Sequence, residues 1–320
     1  NNRERQYRES LARQEELELW RTKTQWLQQI PVKEMMELGW IPSSEDPIEQ
    51  LENTLGFFGI SSPDQWLLVS NAKYRKLESN PAFASSLGSD IAWLRKGEIQ
   101  AQQEYCEPYS LKLIKDSLQT IRRLTLQPAQ RFYPQLKEFC CQIGVVFCLV
   151  PELSGSQIRA ATRWVTNEKV LIQISNRYQQ DDTFWFAFFR AMGHILLHGK
   201  RDVFLEVDDG KDQIEENATL FAYEQLIRGD DLRAFLSGAK TVTRELIHQY
   251  ANDVGVAPGI VVGWLQIEGI LKPTQFNDIK RALVWAFPEE EDLDEEVLDE
   301  GSETQELLAM QPPQPLADFL

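Results

Sequence analysis

Dense β-branched sequence first appears near residue 144 of this 320-residue chain and ends by residue 175. GVVFCLVPE has the pattern of a buried strand, an apolar run bounded by Gly144 and Pro151. IRAATRWV, a turn at TNEK and VLIQIS then predict a β-hairpin over 158–175. So short a window builds only a small antiparallel sheet, and helices must cover it. A helix is expected over Asp182–Leu197 with Gly199 at its C-cap, and another over 211–226. Three more are expected over 241–287, Gly255 and Pro258 breaking the first from the second. Residues 1–30 read as a charged, Gln-rich helix with Leu11, Leu17, Leu19, Trp20, Trp26, Leu27 and Ile30 on its apolar side, ended by Pro31. Residues 31–127 read as short helices separated by IPSSEDP and ISSPDQ. The fold class is α+β and mostly helical. The expected segments are 1–30, 31–127, 128–227, 228–287 and 288–320.

Composition narrows the function classes. Hydrophobic residues make up 42% and charged residues 26%, as in an ordinary soluble globular protein. No apolar run reaches the roughly 18 residues of a membrane span. The first residues, NNRERQYRES, have no apolar core of a signal peptide. They also lack an initiator Met, and a fragment of a longer chain is expected. Net charge is −16, but residues 288–320 hold 12 acids and no Lys or Arg, so the rest carries 37 acids (49 less 12) against 33 bases. A body so near neutrality offers no basic face for nucleic acid. The acidic segment, which ends QELLAMQPPQPLADFL, reads as disordered, with apolar residues suited to docking on contact. Cys140 and Cys141 are adjacent, a poor arrangement for a disulfide, and Cys140, Cys141 and Cys148 lie in apolar sequence. With Cys106 they read as free thiols of a reducing cytosol.

The segment FWFAFFRAMGHILLHG, residues 184–199, carries the chemistry. Zinc hydrolases often place HExxH on a helix, because residues i and i+4 share a face and both imidazoles reach one metal. The Glu after the first His takes a proton from the metal-bound water. Here His194 stands at the second ligand position, Arg190 at the first and Ala191 at the general base. A guanidinium has no lone pair for zinc, and Ala191 cannot move a proton. Water-activating metal chemistry is therefore disabled twice, and no catalytic residue is intact. His194 by itself would be a satisfied core histidine. His198 shares its face and is a possible alternative ligand in a shifted register. Glu215 alone would be a helix carboxylate favoured near an N-terminus. His248 reads as a surface residue, and the Trp and Phe run at 184–189 as core. No phosphate-cradling Gly-rich loop or GxSxG is present.

Over 164–222 the chain resembles the ImmA/IrrE family of metallopeptidase-like proteins. The match is carried by GHILLHGK at 193–200 and by Glu215-Glu216-Asn217-Ala218-Thr219-Leu220-Phe221-Ala222. VKEMMELGWI, AWLRKGE, ATRWVTNEK, SNRYQQDDTFWF and APGIVVGWLQIEG extend it over roughly 32–287, toward long HigA-type antitoxins and regulators. The resemblance implies a zincin-like helix under the sheet, with helical extensions at both ends. It implies Glu215 at the third-ligand position, or Asn217 if the register differs. It further implies a cytoplasmic protein with a toxin or other regulator as partner, and a possible homodimer. DNA would be reached only through a helix-turn-helix domain missing from this chain. Zn²⁺ is expected only if the motif were restored. Losing zinc beside Glu215 would leave a carboxylate without a countercharge. Arg190 is therefore expected to contact Glu215. GVAPGIVVGWLQ reads as packing, with Gly259 and Gly263 allowing close helix contact, and the hairpin could offer an edge strand to a peptide.

Overall fold

The computed structural model describes residues 23–66, 87–200, 203–206, 213–237 and 241–285. The chain divides into two compact units, residues 1–286 and 287–320, and all described residues belong to the first. Residues 1–22 of the expected N-terminal helix and the acidic segment 288–320 lie outside the described residues.

The described residues of 31–127 form short helices, as the sequence predicts: α1 (Val32–Glu37), α2 (Pro47–Phe58), α3 (Leu87–Gln103) and α4 (Leu111–Arg123). Local chemistry sets their ends. The Asp46 side chain accepts from Ile48 N at the start of α2, Pro47 occupies its first turn, and Gly59 closes it at φ +69°. α5 (Ala129–Gln142) then leads into the sheet.

The sheet has four strands in the order β1-β3-β2-β4, made of β1 (Val145–Val150), β2 (Ala160–Thr166), β3 (Lys169–Ser175) and β4 (Phe204–Glu206). The hairpin forms as expected, β2 pairing antiparallel with β3. The sheet is mixed rather than antiparallel, because β3 also pairs in parallel with β1, Phe147 opposite Ile172. β3 inserts between β1 and β2, and every residue of the edge strand β1 is buried because its alternate side chains enter the cores on the two faces of the sheet. One face of the sheet packs with α1–α3 around Met35, Leu51 and Trp93. The other packs with α4, α5 and the later helices.

Beneath that second face runs α6 (Asp181–Leu197), followed by α7 (Gln213–Leu226), α8 (Gly229–Leu236), α9 (Arg244–Val254) and α10 (Pro258–Ile267). The aromatic run of α6 is core, as expected: Phe184, Trp185, Phe188 and Phe189 are fully buried among Phe132, Phe147 and other rings. α6 ends at His198, whose backbone is extended at φ −119° and ψ 166°. Gly199, expected to cap it, is not left-handed. Gly255 at φ +72° and Pro258 separate α9 from α10 as predicted. The third helix expected before residue 287 is only a 3-10 turn, Asn277–Ile279.

The start of α6 is anchored by charge. Asp181 and Asp182 are buried, paired with Arg281 (Nε–Oδ2 3.0 Å) and Lys280 (Nζ–Oδ2 2.7 Å). Burial pushes the Asp181 carboxyl up, against the pull of Arg281. Gly259 and Gly263 of α10 lie directly on these two carboxylates, and a Cβ at Gly259 would sit 2.6 Å from Asp181 Oδ1. The close approach expected of those glycines is therefore made against the first turn of α6.

Cys106 and Cys141 form a disulfide, which corrects the reading of four free thiols. Adjacent helical residues point about 100° apart. Cys140 therefore enters the core while Cys141 faces the segment after α3, where Glu107 N donates to Cys141 O at 2.9 Å. Cys140 and Cys148 are free and buried, and burial pushes the Cys148 thiol up to about 12. The bonded pair removes the cysteine argument for a reducing compartment. Among the described residues, no helix is long and apolar enough to cross a membrane.

Candidate functional site

Two elements, α7 and β4, converge on the second half of α6. α7 crosses it closely because Gly193 has no side chain: a Cβ there would lie 3.1 Å from both Cα and O of Ala218. That approach places Glu215, one turn ahead of Ala218, beside His194. Glu215 Oε2 is 3.4 Å from His194 Nε2. β4 closes the other side by pairing with β2, which sets Phe204 opposite Thr162 and Glu206 opposite Ala160. Phe204 stacks on the His194 ring at 4.3 Å between centroids and 15° between planes.

Arg190 does not contact Glu215. Its guanidinium pairs with Glu206, which also accepts from the Tyr178 hydroxyl. The correction has a physical cause in β4, which carries a second carboxylate into the cleft nearer to Arg190. Glu215 faces His194, a histidine that is 5% exposed. Ala191 is buried and adds only a methyl to the wall. His198, at the end of α6, places its Nδ1 3.1 Å from His194 Nδ1. Asn217 and His248 are exposed, so the structure brings Arg190, Ala191, His194, His198 and Glu215 together and leaves these two outside.

The space between Arg190, Ala191, His194, Phe204 and Glu206 is about 10 Å³, room for one water at most. A catalytic zinc does not fit this donor set. One ligand position is a cation held by Glu206, and no base stands where the attacking water would lie. Among the described residues, no group of three or more His, Cys, Asp or Glu side chains is arranged to hold a metal. A wider groove of about 380 Å³ opens on the far side of His198, lined by Leu197, Asn217, Leu220, Phe221 and Glu224.

Glu206, Tyr178 and Phe204 complete the site, and sequence reasoning did not find them. Three residues of strand are too few for period-2 alternation to register. The only available signal was the Tyr178 hydroxyl just ahead of an apolar helix. No protein-family model matches the chain, and no curated protein matches it.

Proposed function

We propose that the chain is a non-catalytic regulatory module, a pseudo-metallopeptidase of the ImmA/IrrE type from a HigA-type antitoxin or transcriptional regulator. It works in the cytoplasm by binding a protein partner such as a toxin or repressor. One observation carries the reading: the position that would hold the first zinc ligand is Arg190, locked in an ion pair with Glu206. A guanidinium there supplies permanent positive charge without Lewis acidity, so the cleft keeps its shape and loses its reaction. The groove beside it, with Leu197 52% and Leu220 58% exposed, is suited to contact with a partner.

A second reading draws on a different distance. His194 Nε2 and Glu215 Oε2, 3.4 Å apart, keep roughly the spacing of two ligands on one cation. On that reading the chain is a zinc endopeptidase of the same type in an inactivated form, and its substrate would be a regulatory protein.

The double change Arg190→His with Ala191→Glu separates the two. For a regulatory module, the restored motif binds zinc weakly and cleaves neither casein nor a candidate repressor, because Glu206 and Tyr178 still close the cleft. Zinc-dependent cleavage by the double variant, at an unchanged melting curve, would establish the inactivated peptidase instead.

A further inference from the structure

The pairing of the two histidines at the end of α6 is chemistry that neither reading uses. His194 and His198 stand four residues apart, which puts them on one face. Their Nδ1 atoms are 3.1 Å apart. Two nitrogens bound to one cation at about 2.0–2.1 Å, with an angle between a right angle and tetrahedral, lie roughly 2.9–3.4 Å from each other. The pair therefore has the spacing of two ligands on a late transition metal.

The surroundings orient both rings for that use. Glu215 lies against His194 Nε2 and favours the proton there, which leaves the lone pair on Nδ1. Phe204 packs on both imidazoles, at 4.3 Å from His194 and 5.3 Å from His198. His198 lines the open groove, so a cation can arrive with water ligands and keep some of them. The Nε2 side of His194 is taken by Glu215, 3.4 Å away.

We infer that His194 Nδ1 and His198 Nδ1 form a two-nitrogen site for a divalent late transition metal, copper(II) before zinc, open to the groove between α6 and α7. Imidazole suits both ions, and affinity for a given site rises to a maximum at Cu²⁺. On binding, the single proton that the two facing nitrogens share moves to His198 Nε2, so both rings coordinate as neutral imidazoles through Nδ1. This site is one turn away from the arginine position and opens on the same groove that the interaction reading gives to a partner.

The chain has three histidines, so imidazole ligation can be assigned by single substitutions. Copper(II) is titrated into the full chain and followed by electron paramagnetic resonance and calorimetry. One copper per chain with two imidazole nitrogens is expected. His198→Gln should weaken binding at least tenfold and leave one nitrogen, with an unchanged melting curve. Glu215→Gln, which removes only the orienting carboxylate, should weaken it by roughly tenfold and keep both nitrogens. His248→Ala should change nothing. The inference is overturned if His198→Gln binds copper like the parent chain, or if Glu215→Gln abolishes binding while His198→Gln does not. The latter result would place the metal on the Nε2 side.

Discussion

The two ends of α6 both bury charge, and they do it in different ways. At the first turn, Asp181 and Asp182 each receive a cation from residues 280 and 281, and α10 seals them with two glycines. Near the last turn, Arg190, His194 and His198 meet carboxylates and one another across α6, β4 and α7, beside an open groove. The first arrangement is closed, each carboxylate held by its own cation, which suits a fixed anchor for the helix. The second leaves polar groups within reach of solvent, which suits a surface that exchanges ligands or partners. Position on the helix, more than residue type, separates the closed end from the open one.

The largest effect is expected from breaking the closed end. Lys280 and Asp182 have side chains only 7% and 4% exposed, so Lys280→Ala strands a buried carboxylate and should cost about 3–5 kcal/mol in urea unfolding. Replacing both partners, Lys280→Met with Asp182→Leu, should cost far less. An equal loss in the two variants would mean that shape, not charge, holds this end.

The disulfide comes next. It closes a span of 35 residues, and reduction should lower stability by about 2–4 kcal/mol. Comparing unfolding with and without reductant, against Cys106→Ser, isolates that contribution. Gly263→Ala drives a methyl into the Asp182 carboxylate and should cost about 1–3 kcal/mol by overpacking. Gly193→Ala is the smallest change. Its Cβ meets Ala218 at 3.1 Å, but a helical alanine recovers up to about 1 kcal/mol, so the two nearly offset. A loss of several kcal/mol at Gly193 would show that the α6–α7 crossing is as rigid as the anchored end.

The open end was legible in the sequence only where it is local. The i, i+4 spacing of Arg190, His194 and His198 is a property of one helix and needs no tertiary knowledge. So are the aromatic core of α6, the hairpin, and the helix break at Gly255 and Pro258. What escaped depends on residues far apart in sequence. Glu206 reaches Arg190 because β4 pairs with β2, and β1 turns the sheet mixed by pairing in parallel with β3. Cys106 meets Cys141 through the path of the segment after α3, and Arg281 finds Asp181 across 100 residues. The expected Arg190–Glu215 pair fails for the same reason: a second carboxylate, brought by β4, takes the guanidinium.

The most direct test of the central claim, that Arg190 has ended zinc chemistry in this cleft, is the metal content of the unaltered chain. Protein purified without chelator and passed into metal-free buffer is assayed for zinc by inductively coupled plasma mass spectrometry. Near-zero zinc is the expected result, since the Arg190 guanidinium beside His194 has no lone pair for a metal and a two-histidine site releases its ion under those conditions. One zinc per chain that survives the exchange and disappears in Glu215→Gln would contradict it.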